Sequence, residues 1–540
     1  MKFQCFASIC LSFAVLSSAE AAYRAHYRIE GDGAKVLTDA ILVPGPAEQK
    51  LLRSLPYYIG HGPEDLGLRY EEWEYPDATA PAAVRGLAKQ ILVKPLAESS
   101  EMRVIRQQGP VGNRINLTIL GDGYTLAEKE KFFEDVERTV RGLFETPTFR
   151  SYLALFNVFA VYVPSSVSGI GDGSPKNTAF RLYRNPAGSK RAIMPGDESA
   201  LSRALRLAPA TDYPIVLAND EYYGGLGGRW AISTSSPSSG LIVLRHELGH
   251  NFGEVGEEYD NGYVYSGANA SKSPRVPWMQ WVQGETQVHE AQLLTGDYVW
   301  KNLSQGAYQA SFTMPADKSL LQIELSTVGW SSPSEVAVTL NGAELSYDGV
   351  FHKDRSFFNF DPTSVAPGSR YQIKVEERAM DGDNVLGFAL AYGMRSDYDF
   401  KSGKIGAFAS YDAYGNKSYR PTHNSCLMKD MRRQNFCAVD QENMWLKFLA
   451  RVSLLDGVSQ SQAANGLRRI EVLTPALSEL GVTWFKKSSG SWQEVLELKD
   501  QRVWETAEAS GDYRVNVRLK SNEVRTESRS LEDTKDFRLE

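Results

Sequence analysis

His246 and His250 stand four positions apart with Glu247 between them, in the run His246-Glu247-Leu248-Gly249-His250. On a helix that spacing is just over one turn, about 6 Å of rise, so both imidazoles leave the same face and can share one tetrahedral metal. The carboxylate of Glu247 sits beside them. It can take a proton from a zinc-bound water whose pKa has fallen to ~7 and return it to a leaving amine. With only seven histidines in 540 residues, such a pattern arises by chance on the order of once in a hundred chains. The arrangement implies Zn2+ and hydrolysis of peptide bonds.

A catalytic zinc takes a third protein ligand and keeps one position open for water. A straight helix would carry residues eleven or twelve past His246 about 16 Å up the axis, out of reach. The chain therefore has to turn back, and Gly253 and Gly256 allow a break at little steric cost. Beyond them stand Glu257 and Glu258, either of which can supply the third ligand, ahead of the more distant His289 and His423. The pattern H-E-x-x-H-x-x-G-x-x-H holds through Gly253 and then fails, because its third histidine falls at Gly256.

The elements that position these groups can also be read. Leu241 to Leu244 precede the motif and Phe252 follows it. This helix is apolar almost all round and crosses a core. Ser238-Ser239-Gly240 supplies its start. Upstream, Ile115 to Leu120 reads as a strand, Gly121 to Gly123 as a turn, and Thr125 with Glu128 as a capping box opening an amphipathic helix that buries Phe132, Val136, Val140 and Leu143. Asp122 in that turn is read as a residue bonding its own backbone. Asn157 to Val163 and Tyr213 to Ala218 read as further strands, giving a sheet-backed α/β catalytic domain over 108–304 and 394–456. Trp230 to Thr234 is either an edge strand that pairs with an extended peptide or one arm of a plain hairpin.

About 520 mature residues exceed what one core serves, so a multidomain α+β chain is expected. Residues 22–107 alternate short extended runs with Pro/Gly turns and read as an N-terminal β-rich domain. Residues 305–393 read as a β-sandwich inserted into the catalytic domain, with Asn341-Gly342 as a hairpin turn. Residues 459–540 read as a C-terminal β-sandwich.

Residues 1–21 have the charged start, short apolar run and A-x-A-like end of a signal peptide cut near Ala21, which implies a secreted or periplasmic chain. Cys5 and Cys10 leave with it. Cys426 and Cys437 remain, and an even pair in an oxidising compartment argues for a disulfide closing a short loop, over a zinc-thiolate site with no second pair nearby. A formal charge of -7 gives no sign of a nucleic-acid or anionic-membrane partner. No stretch after the leader approaches the ~20 apolar residues of a transmembrane helix.

Several separated segments share an order more specific than the five-residue motif. They are Leu120-Gly-Asp-Gly-Tyr-Thr125, Phe156-Asn157 with Ser168-Gly169, Tyr222-Tyr-Gly-Gly225, His246 to Tyr259 ending Glu-Glu-Tyr, and Tyr419-Arg-Pro421 with Asn424-Ser-Cys-Leu-Met428. Over roughly residues 110 to 450, without the β insert, the chain resembles the IgA peptidase family of secreted bacterial zinc metallopeptidases. The resemblance implies a metzincin-like catalytic fold preceded by a β domain. It also implies that Met428 is the methionine of a turn beneath the zinc, and that Tyr419 approaches the metal to stabilise the oxyanion. A bridge from Cys426 to Cys437 would fasten that loop.

The expected substrate is an extracellular protein, glycoproteins included. Trp330 or Tyr347 on the insert would then stack on sugars, although core packing is the commoner fate of such rings. An adhesin or glycan-binding protein with an inactive peptidase-like domain is the alternative from a different class. The intact Glu247 argues against it.

Overall fold

The computed structural model describes residues 21–29, 33–44, 49–56, 69–93, 96–185, 191–262, 265–284, 288–347, 351, 354–378, 382–508 and 510–539. Apart from Ala21, which opens the first strand, the expected signal peptide lies outside the described residues. The chain divides into two compact units.

The smaller unit comprises Met1–Pro56, Leu66–Pro95 and Asp197–Arg203. Its antiparallel sheet has the order Lys35–Pro44, Ala21–Ile29, Arg69–Pro76, Lys50–Pro56. Helix α1 (Ala82–Val93) packs Val84 and Ala88 against Ala25 and Ala40 of that sheet. The unit expected to be β-rich over 22–107 thus also contains a helix. Its boundary is also corrected: Glu101–Gln107 pairs antiparallel with Phe156–Tyr162 in the larger unit.

The larger unit is built on a six-stranded sheet ordered Gly225–Leu226, Ala231–Thr234, Tyr213–Ala218, Ile115–Asp122, Phe156–Tyr162, Glu101–Gln107. The four inner strands are mutually parallel, and Ile115–Asp122 is buried along its whole length, as a strand covered on both faces has to be. The Thr125/Glu128 capping box forms as expected and leads into α2 (Lys129–Phe144), which buries Phe132, Val136, Val140 and Leu143. Helices α3 (Gly240–Gly253) and α4 (Ala438–Leu449) pack on each other. Ala231–Thr234 is not an edge: Gly225–Leu226 pairs along it antiparallel, so the hairpin reading holds there. Asp122 does more than close a turn. Its carboxylate accepts hydrogen bonds from the Phe180 and Leu182 amides and the Thr178 hydroxyl, each at 2.8 Å.

The insert is two facing sheets. One contains Gln292–Asp297, Val385–Met394, Leu320–Val328 and Ser356–Asn359; the other contains Tyr308–Thr313, Arg370–Glu377, Val336–Leu340 and Ala343–Glu344. Leu321, Ile323, Val338, Ile373 and Val375 share one core between them. The sandwich therefore starts at Gln292 rather than 305, because that strand pairs with Val385–Met394. Asn341 and Gly342 both have positive φ, 49° and 83°, the two left-handed residues a tight hairpin turn requires. Trp330 is fully buried, and the Tyr347 hydroxyl donates to the Val336 carbonyl at 2.9 Å. Both rings belong to the sandwich core, which corrects the expectation that they stack on sugars.

Two further sheets form the C-terminal part. They are Gly457–Gln462, Arg468–Leu473, Val503–Thr506, and Ser491–Glu494, Leu480–Ser488, Gly511–Leu519, Glu532–Leu539. Their apolar residues, Val472, Trp484 and Val517 among them, are continuous with the core around the six-stranded sheet. Arg114 fixes the junction by meeting both oxygens of Asp456 at 2.7 Å. Among the described residues no helix is long and apolar enough to cross a membrane.

Candidate active site

Helix α3 is buried on nearly every side, and the reason for its small residue lies in the packing. A Cβ on Gly249 would meet the Met428 sulfur and the Phe436 ring at 2.7 Å each, so the missing side chain lets Met428 lie directly under the turn that carries the two histidines. Met428 is fully buried there. The helix stops after Gly253 because Glu254 adopts a left-handed conformation, φ 52°, and its amide bonds the His250 carbonyl at 2.9 Å. The expected break at a glycine is thus one residue off. Gly253 stays helical, and its carbonyl accepts from Asn443 of α4 at 2.6 Å.

The reversal returns Glu257 to the histidines. Its two carboxylate oxygens lie 3.2 Å from His246 Nε2 and 3.2 Å from His250 Nε2, and the two imidazole planes stand at 87° to each other. His250 Nδ1 meets the Val255 carbonyl at 2.8 Å, which turns Nε2 inward. Asn269 holds the reversing loop by bonding both the amide and the carbonyl of Gly256, at 3.0 and 2.9 Å. Asp260 anchors its far end. It accepts from the Tyr411 amide at 2.7 Å and the Tyr392 hydroxyl at 3.0 Å, while its carbonyl accepts from Tyr298 at 2.8 Å.

Burial pushes the Glu247 carboxyl up to about 7, against the pull of His246 and His250. For Glu257, burial also pushes upward, but the two imidazoles win and hold it well below the usual carboxylate range. Burial is the largest single effect on His250 and lowers it, but Glu257, Glu247 and the Val255 carbonyl together give a net rise.

Residues 104–312 match the family model described as IgA Peptidase M64. That stretch resembles the IgA peptidase family. M64 peptidases are metallopeptidases. No curated protein matches this chain. Among solved structures, dimeric latent PorU from Porphyromonas gingivalis is 9% identical over 28% of this chain and 17% of its own, with a TM-score of 0.17. A ruminal GH26 endo-beta-1,4-mannanase is 10% identical over 27% of this chain and 31% of its own, with a TM-score of 0.14. The chain spans less than a third of either, and these likenesses carry nothing further.

The M64 segment brings together a donor set that suits a metal ion. His246, His250 and Glu257 each offer one ligand atom, all within 4.8 Å of one another. The two imidazole-to-carboxylate separations are close to the ~3.3 Å edge of a tetrahedron with bonds of about 2.0 to 2.1 Å. Both oxygens of Glu247 are buried beside this set without a hydrogen-bond partner.

The other residues singled out in the sequence have surroundings of their own. Glu258 faces away from the histidines, toward Asn269, Cys426, Cys437 and Asp440. Tyr419 is half-buried in the strand Lys417–Arg420, where its amide and carbonyl bond Ser271 and its ring faces Lys417. His289 stacks on Phe408 and His423 bonds Tyr398. The tyrosine at the histidines is Tyr259, whose ring lies 6.2 Å from that of His246 and whose hydroxyl bonds Glu257. It was legible only as the last letter of Glu-Glu-Tyr. A small cavity lies beside it, walled by Tyr298, Phe357, Phe388, Lys429 and Met431.

The expected disulfide is also corrected: Cys426 and Cys437 are free, buried thiols. The Cys426 thiol donates to Asp440 at 3.0 Å instead.

The insert contributes from both ends of α3. Asp354 accepts from Ser236 and Ser238 at the helix start, at 2.7 and 3.2 Å. Beyond the helix, Glu324 pairs with Lys429 at 3.0 Å, one residue past Met428. No local pattern in the sequence signals these contacts.

Proposed function

We propose that this chain is a zinc-dependent endopeptidase that hydrolyses extracellular proteins, glycoproteins among them. The observation that carries the reading is the convergence of two imidazoles, one helical turn apart, on a single carboxylate brought back by the loop after the helix. His246, His250 and Glu257 would hold the ion. When bound, the ion lowers the pKa of a water to ~7 and polarises the scissile carbonyl.

Glu247, one residue from His246, accepts the proton of the attacking water and hands it to the departing amine nitrogen. Tyr259 hydrogen-bonds Glu257 and fixes its orientation, as an outer partner of a ligating carboxylate does. The Val255 carbonyl does the same for His250. Met428 beneath Gly249 sets the floor on which the histidine turn rests. A signal peptide over residues 1–21, as the sequence pattern suggests, would deliver the chain outside the cytoplasm.

Glu247→Gln is expected to keep stoichiometric zinc and lose about 10²- to 10⁴-fold in cleavage of casein or a peptide library. Unchanged turnover in that variant would end this assignment.

A further inference from the structure

Four donors of a different kind gather one residue away from the histidine cluster. Glu258, Cys426, Cys437 and Asp440 each place one ligand atom within 4.8 Å of the others, and all four are buried, Glu258, Cys426 and Asp440 completely. The Cys426 sulfur lies 3.0 Å from Asp440 Oδ2, and the Cys437 sulfur 3.9 Å from Glu258 Oε1. A tetrahedral site with bonds of about 2.0 to 2.3 Å has edges of about 3.3 to 3.8 Å, between those two separations.

The polar groups of this cluster are unevenly satisfied. Glu258 Oε2 and Asp440 Oδ1 are buried without a hydrogen bond from any N–H, O–H or S–H group, and the two carboxyls lie within hydrogen-bonding reach of each other. Two carboxylates and two thiols sealed in a dry interior are costly unless a cation is shared among them. A disulfide would use the two sulfurs and leave the two acids facing each other. A divalent ion uses all four groups.

The surroundings suit thiolates. The Cys437 amide donates to the Cys426 sulfur at 3.2 Å. Cys437 itself is the N-cap of α4, where the helix dipole favours negative charge. Asn269 donates to Glu258 Oε1 at 3.2 Å, the outer-shell bond that orients a ligating carboxylate.

We propose that Glu258, Cys426, Cys437 and Asp440 form a second, closed divalent-cation site that takes zinc and fastens the loop carrying Glu257. On binding, the two thiols release their protons to solvent. The ion joins three segments: the loop after α3, the Met428 loop and the start of α4. The Glu258 amide already bonds the Met428 carbonyl at 3.2 Å. The site has no open position, and its role is structural.

The test is the metal content and thiol state of the full chain, purified without chelator and loaded with Zn2+ or Co2+. About two equivalents are expected, falling to about one in His246→Ala/His250→Ala and to about one in Cys426→Ser/Cys437→Ser. The cobalt form should show thiolate-to-metal charge-transfer absorption that survives in the histidine variant and vanishes in the cysteine variant.

Because the cysteine variant can fail to fold, thiols are also counted on the unaltered chain, denatured with chelator and without reductant. In the chain without residues 1–21, and so without Cys5 and Cys10, two reactive thiols are expected. A chain with none holds a disulfide and overturns the proposal. Two thiols with about one metal and no charge-transfer band overturn it equally. The site is independent of the peptidase reading: a chain that cleaves nothing yet keeps the thiolate-bound ion sustains this proposal and ends the other.

Discussion

Glu257 and Glu258 are neighbours in the chain and face opposite ways. Glu257 meets two imidazoles with the free carboxylate of Glu247 alongside, whereas Glu258 meets two thiols and a second acid. The first group leaves a coordination position for water, with a base beside it. The second fills every position with protein. Three donors plus a base suit chemistry, and four donors suit fastening. A single dipeptide thus serves both, its two side chains directed to different clusters.

The sharpest way to break this contrast is to exchange carboxylates for amides one at a time. Glu257→Gln is expected to weaken zinc binding at the histidines by at least about a hundredfold and abolish proteolysis. Glu258→Gln should keep the histidine-bound ion and hydrolysis within about tenfold while lowering the melting temperature. Chelator-competition titrations and thermal scans on both proteins check this. Equal loss of histidine-bound zinc in the two would erase the distinction.

Next in size is the choice of tyrosine. Tyr259→Phe removes the hydrogen bond to Glu257 and is expected to lower kcat by about tenfold, whereas Tyr419→Phe should stay within about twofold. The reverse order in steady-state kinetics would return the oxyanion role to Tyr419.

Gly249→Ala probes the floor of the histidine cluster. The added carbon meets the Met428 sulfur at 2.7 Å, and the overpacking is expected to cost about 1 to 3 kcal/mol in urea denaturation. A neutral result would show that Met428 moves aside freely.

The smallest effect serves as a control outside both clusters. Burial raises the Asp456 carboxyl pKa, but the Arg114 guanidinium and the Asn113 amide together outweigh it and hold it below the usual range. A depressed folded-state pKa contributes stability above the unfolded value, about 3.9, and that contribution disappears as pH falls through the folded value. The stability gap between the native chain and Asp456→Asn should therefore shrink below about pH 4, with the two proteins equal in metal content at each pH. Denaturation midpoints across the acid range measure it.

What the sequence reveals follows the range of the forces involved. The histidine turn, the Thr125/Glu128 box and the Asn341-Gly342 turn are set within a few residues by helical spacing, a cap and left-handed backbone, and each stands where expected. The choice between Glu257 and Glu258 depends on the backbone path after Glu254, which Asn269 and Asp260 set through contacts with residues far along the chain. Helix α1 escaped because the alternating runs around it dominate the local pattern. The disulfide expectation rested on counting cysteines and could not register that Asp440 and Glu258 share their pocket.

Asp260 gives the inserted sandwich a meaning beyond bulk. Its carboxylate is held by Tyr392 and its carbonyl by Tyr298, so excising the insert would cut two tethers of the segment that delivers Glu257. Any minimal version of this catalytic unit has to retain the strand Val385–Met394, and a trimmed chain lacking it should lose its grip on the third ligand before it loses the sheet.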